Sequence, residues 1–104
     1  MHNTNILATF VDIKLRQNID VSLWDVSNVK DMHNMFYDCK DFNCDLSRWN
    51  VSNVENMNCM FFNCHKFNSD LSRWNTSKVE DMNFAFDGSD VVSLPEWYRD
   101  NREE

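Results

Sequence analysis

The chain has 104 residues, 42% of them hydrophobic and 13% aromatic, enough to bury one core and too apolar for a disordered tail. Lys+Arg 10 against Asp+Glu 17 leaves a formal charge of −7, which disfavours nucleic acid and anionic membranes as partners. One Gly and one Pro exclude a glycine-rich phosphate loop, and no apolar run approaches the roughly 20 residues that cross a bilayer.

Met1 to Asn5 lacks the basic and apolar regions of a secretory leader, so none is expected. From Thr4 to Gln17, Ile6, Leu7, Phe10, Val11 and Leu15 form a helical stripe that reads as an N-terminal cap over 1–17. The alternation of Val11, Ile13 and Leu15 also permits a strand there. An internal repeat follows. Trp24, Trp49 and Trp74 recur every 25 residues and define three gapless units, 18–42, 43–67 and 68–92. The middle unit shares 13 of its 25 residues with each neighbour. Such a period predicts units that bury their apolar faces only against one another.

Within the middle unit, Trp49 and Val51 alternate about Asn50, which predicts a short strand with one buried face. Val54, Met57, Met60, Phe61 and Cys64 then recur at three- and four-residue intervals, which predicts an amphipathic helix. Ser52 with Glu55, and Ser77 with Glu80, have the spacing of capping boxes at its start. In the third unit Met60 and Cys64 give way to Ala85 and Ser89 and Gly88 enters, so the helix is expected to degrade there. Ser93-Leu94-Pro95-Glu96 reads as a helix start within a C-terminal cap over 93–104, with Trp97 and Tyr98 covering the last unit. The prediction is a single domain over 1–104: an α/β solenoid of three strand-helix coils with a cap at each end.

The string from Trp24 through Val29, Met32, Met35 and Phe36 to Cys39, with the link Phe42-Asn43-Cys44-Asp45-Leu46-Ser47, resembles the BspA-like repeat. That repeat was first catalogued as a mycoplasma family of unknown function and is regarded as a distant leucine-rich repeat. The resemblance covers 18–92 and implies a leucine-rich-repeat-like coil, although Val29, Val54 and Val79 stand where such repeats usually carry asparagine. It also implies a scaffold for protein–protein contact or adhesion. Surface members carry export signals or anchors. With none evident, an intracellular or virion-associated location is expected, in keeping with an Asn-rich, Gly-poor composition.

No nucleophile has a base partner set by local spacing, so no enzyme activity and no cofactor are expected. Cys39, Cys44, Cys59 and Cys64 superficially imitate a four-thiolate zinc site, and a small zinc-stabilised binding module is the alternative reading. Cys39 and Cys64 are, however, equivalent positions in successive units, as expected of core thiols. His2, His33 and His65 share no repeat position and read as solvated. Asp20, Asp45 and Asp70 recur in every unit and read as turn residues. The candidates for partner binding are outward columns: Arg48 with Arg73, Asn50 with Asn75, and an aromatic flank of Tyr37, Phe62 and Phe84. Two arginines on adjacent strands would stand roughly 5 Å apart and need neutralising by Asp45 and Asp70 or by a partner. The expected partner is another protein, with no nucleic acid and no membrane insertion.

Overall fold

A computed structural model describes residues 19–91 and 93–100; the cap expected over 1–17 lies outside the described residues. Among the described residues there is neither helix nor extended strand, so the strand-helix solenoid is not the architecture. Parallel bridges join Asp31 to Asn56 and Asn56 to Asp81. The chain is built from β-turns.

Each unit repeats one series of turns. In the middle unit the N–H groups of Trp49, Val54, Met60, Phe62, Cys64 and Phe67 donate to the carbonyls three residues earlier at 3.0–3.2 Å, for example Trp49 to Leu46 at 3.0 Å and Phe67 to Cys64 at 3.2 Å. The same bonds recur in the first unit, from Trp24 to Val21 through Phe42 to Cys39, and in the third from Trp74 to Leu71 onward. A β-turn brings its first and fourth residues together. Leu46 and Trp49, Val51 and Val54, Met57 and Met60, and Phe61 and Cys64 are such end pairs, and all are buried. The three-residue apolar spacing is therefore turn spacing.

Over 32–39, 57–64 and 82–89 the turns overlap into a ribbon. Between them, alternate N–H groups leave the unit: those of Met32, Asn34, Phe36 and Asp38 donate to the carbonyls of Asn56, Asn58, Met60 and Phe62. Those of Met57, Cys59, Phe61 and Asn63 donate in turn to Asp81, Asn83, Ala85 and Asp87. A helix would have spent these donors on its own carbonyls four residues back. The ribbon requires left-handed backbone at two positions per unit: Asn34 (φ 58°) and Asp38 (61°), Cys59 (58°) and Asn63 (60°), Phe84 (63°) and Gly88 (75°). Asn, Asp and Gly are the residues that tolerate this conformation.

The expected capping boxes are absent for the same reason. Glu55 N–H donates to Lys30 of the preceding unit, and Ser52 donates through both N–H and Oγ to Asn50 Oδ1 at 3.0 and 2.7 Å. Each unit instead carries three Asx turns, in which Asp45, Asn50 and Asn56 accept from the backbone of Ser47, Ser52 and Asn58. Their counterparts are Asp20, Asp25 and Asp31 before, and Asp70, Asn75 and Asp81 after.

Gly88 does not mark a decaying helix. It fills the left-handed position held by Asp38 and Asn63, and a Cβ there would run into the Asn63 side chain and approach the Asn63 Cα at 3.3 Å. Gly88→Ala is expected to cost about 1–2 kcal/mol in urea unfolding, since Ala gains nothing to offset a left-handed backbone. An unchanged midpoint would place this residue in ordinary backbone.

The core is a set of aromatic columns one unit apart. Phe36 lies over Phe61 at 5.5 Å between ring centroids and Phe61 over Phe86 at 5.4 Å, all near parallel. Phe42 and Phe67 form a second column at 5.9 Å, in contact with the first at 4.2 and 4.3 Å. Trp49 and Trp74 donate through Nε1 to the carbonyls of Val21 and Leu46 in the unit before. The expected helix at Ser93–Glu96 is a single turn, closed by Tyr98 N–H to Pro95. It sets Trp97 against Trp74 at 6.0 Å, with Nε1 on the Leu71 carbonyl, and Tyr98 edge-on to Phe86 at 5.0 Å.

Candidate functional site

The turn geometry sorts the candidate residues. The turns at 46–49 and 71–74 project Arg48 and Arg73, both exposed. They flank a groove of about 620 Å³ that also receives Asp45, Asp70, Ser47 and Ser72. Among the described residues neither arginine closes an ion pair. Their fields are nevertheless felt. The backbone N–H of Ser47 chiefly holds the Asp45 carboxyl below the usual range, with a smaller contribution from Arg48. Ser72 and, more weakly, Arg73 do the same for Asp70. Asp20, which lacks an arginine neighbour in its turn, is lowered chiefly by the Ser22 backbone.

Asn50 and Asn75 are exposed, yet their side-chain oxygens turn back onto Ser52 and Ser77. They shape the turns. A column that crosses between units was passed over in the sequence: Asn53 Nδ2 donates to the Ser27 carbonyl at 2.7 Å, and Lys78 Nζ donates to Asn53 Oδ1 at 3.0 Å. It stands one residue before the valines that displace the usual asparagine.

The aromatic flank lies on the ribbon, whose outward corners are 33 and 34, 37 and 38, and their equivalents in the later units. Tyr37 and Phe62 are brought together in one column, their rings parallel within 6° at 4.9 Å. Tyr37 is 37% exposed and Phe62 half-buried. Phe84 occupies a different column, with Asn34 and Cys59, and is 36% exposed. Its N–H, on the outer side of the third unit, is taken by Asp100 Oδ2 at 3.0 Å, which also accepts from Tyr98 Oη at 3.0 Å. None of these three rings lines the Arg48–Arg73 groove. Beside them His33 Nδ1 meets Asp31 Oδ1 at 2.7 Å. Burial pushes the Asp31 carboxyl up, and His33, through side chain, backbone and charge, more than reverses this.

The cysteines fall in three columns, one shared by Cys39 and Cys64 and the others holding Cys44 and Cys59. Cys39 and Cys64 are buried and not disulfide-bonded, and Cys64 Sγ donates to the Phe36 carbonyl at 2.9 Å. Cys44 Sγ faces Asp20 Oδ1 at 3.4 Å, as Ser69 Oγ faces Asp45 Oδ1 at 3.3 Å one unit on. Among the described residues no three His, Cys, Asp or Glu side chains gather as a metal site would require. Native alkylation with iodoacetamide should label Cys44 and Cys59 and spare Cys39 and Cys64 until unfolding. Burial, and then the Asp20 carboxylate, push the Cys44 thiol above its ordinary value. Its thiolate is scarce at neutral pH, so its labelling should accelerate as pH rises past the value for a free thiol. Rapid labelling of Cys44 at pH 7 would contradict this placement.

No helix among the described residues is long and apolar enough to cross a membrane. A family model described as "Mycoplasma protein of unknown function, DUF285" matches residues 4–98. No curated protein and no solved structure matches the chain.

Proposed function

The chain belongs to this mycoplasma-type family of unknown function, and we propose that it is a non-catalytic module for protein–protein contact or structural assembly. The observation that carries this reading is the Tyr37–Phe62 stack. The inner rings of the same ribbon, Phe36 and Phe61, are 0% and 1% exposed, whereas this outer pair stacks at the surface with Tyr37 37% exposed. Aromatic surface is enriched at protein interfaces. The finer kinship with BspA-like surface repeats, which serve as contact scaffolds, is part of the proposal. So is a place inside a larger assembly such as a virion.

The Arg48–Arg73 groove is the second surface of this reading. It presents paired cations on an otherwise acidic chain. The test is cross-linking in the native source from photoreactive residues placed at Tyr37 and at Arg48, with partners identified by mass spectrometry. One recurrent protein, lost on Tyr37→Ser or on Arg48→Glu with Arg73→Glu while the melting temperature stays near wild type, is the expected result. A chain that yields no recurrent neighbour from either position would refute the module reading.

A further inference from the structure

The two charged columns beside the groove have a property together that neither has alone. Asp45 and Asp70 stand one unit apart, as do Arg48 and Arg73, so an acidic and a basic column run side by side with the same spacing. Ser69, next to Asp70 in the chain, donates its hydroxyl to Asp45 Oδ1 at 3.3 Å, which ties the two rungs together. Within each column like charges neighbour one another, an arrangement that costs stability. The chain itself relieves this only in part. Asp45 and Asp70 turn Oδ1 onto the N–H groups of Ser47 and Ser72 at 2.9 and 3.0 Å. Arg48 and Arg73 reach these carboxylates through their fields and, among the described residues, close no ion pair. The basic column is two rungs long, because Leu23 and Glu96 hold the place before Trp24 and Trp97.

A partner of one sign would fit half of this surface. An acidic segment would suit Arg48 and Arg73 and be opposed by Asp45 and Asp70, and a basic one would meet the reverse. A second copy carries both columns at the required spacing, since the same repeat sets it in each. A two-fold axis along the stack, between the columns, lays the arginines of each copy opposite the carboxylates of the other at equal height. Such an interface is self-complementary.

We propose that this groove face is a self-association surface, on which two copies lie side by side in parallel and form reciprocal Arg48–Asp45 and Arg73–Asp70 pairs. Water fills the hollow between the paired columns. This rests on the interaction reading and makes the partner a second copy of the chain.

The test is sedimentation velocity of the full chain over a dilution series at low ionic strength. The unaltered chain should pass from monomer to dimer as concentration rises. Arg48→Glu with Arg73→Glu sets acidic columns against each other, and Asp45→Asn with Asp70→Asn leaves the arginines facing neutral groups. The new asparagines keep the turns, as Asn50 and Asn75 do by accepting from Ser52 and Ser77. Each variant alone should dimerise about ten-fold more weakly, the order expected when several exposed pairs are lost together. Mixed in equal amounts the two should recover part of that loss, because the arginines of one then face the carboxylates of the other. Net charge cannot produce this recovery. The glutamate variant is the more acidic, so net charge alone would make the mixture associate less than the asparagine variant by itself.

A chain that stays monomeric throughout the series would overturn the proposal. So would dimers of equal strength in all three proteins, or a mixture no stronger than the asparagine variant. The two readings fail separately. A different protein that cross-links at residue 48 of a monomeric chain keeps the interaction module and removes this inference. A dimer that responds as described, in a chain with no recurrent neighbour in its source, keeps this inference and removes the module.

Discussion

Phe61→Ala should cost about 3–5 kcal/mol, the range for emptying a closely packed aromatic site. Phe61 is 1% exposed and is the ring on which the columns converge: it meets Phe36, Phe67, Trp74 and Phe86 with centroids 4.3–6.2 Å away. It also belongs to the middle unit, so both flanking units lose a face of their core. A domain of this size has only about 5–15 kcal/mol to lose, and the expected fall in melting temperature is about 15–30 °C. The control is the adjacent residue. Phe62 points outward and keeps the Tyr37 ring company at the surface, so Phe62→Ala should cost about 1 kcal/mol or less. Comparable losses from the two, measured by urea unfolding, would mean that the ribbon is in another register.

Trp74→Phe should cost about 2–3 kcal/mol. The indole Nε1 donates to the Leu46 carbonyl at 2.9 Å, and both residues are buried, so removing the donor strands an acceptor away from water. The shortened ring also withdraws contact from Trp97, stacked on it at 6.0 Å, and from Phe61. These losses add because one side of the indole faces the unit before and the other faces the closing turn. A cost below about 0.5 kcal/mol, with an unchanged denaturant slope, would show that this hydrogen bond contributes nothing net.

The repeat and nearly every core residue of the middle unit were legible in the sequence, because a 25-residue period in Trp, Met and Phe reports repeated burial. The backbone conformation was not. Val54, Met57, Met60, Phe61 and Cys64 are all buried as a helical stripe would have them, yet overlapping turns produce the same spacing. Periodicity reports which residues face inward, and both structures turn a residue inward every three to four positions. The distinguishing signal was composition. Asn56, Asn58, Asn63 and their Asp and Asn equivalents are poor helix formers that favour Asx turns and left-handed backbone. Gly88 carried the same message, since the third unit has glycine where the others have Asp38 and Asn63.

Among the candidate site residues, the pairing of Tyr37 with Phe62 follows from the period alone, as does that of Arg48 with Arg73. The engagement of Asn50 and Asn75 in their own turns did not, because it depends on the turn that the strand reading replaced. The bridging role of Asn53 was hidden similarly, one position from where a leucine-rich coil would have put it.

The ladder between units gives the molecule an electrical direction. From Met32 to Asp38, and again from Met57 to Asn63, the shared N–H groups all point toward the higher-numbered unit and the accepting carbonyls all point back. In an antiparallel sheet such peptide dipoles largely cancel, whereas here those of the shared bonds add along the stack. The third unit is therefore the partially positive end, and it is there that Asp100 places a carboxylate on the Phe84 N–H. A negative charge at this end stabilises the array that points toward it, and a positive charge substituted there would oppose the ribbon bonds behind it.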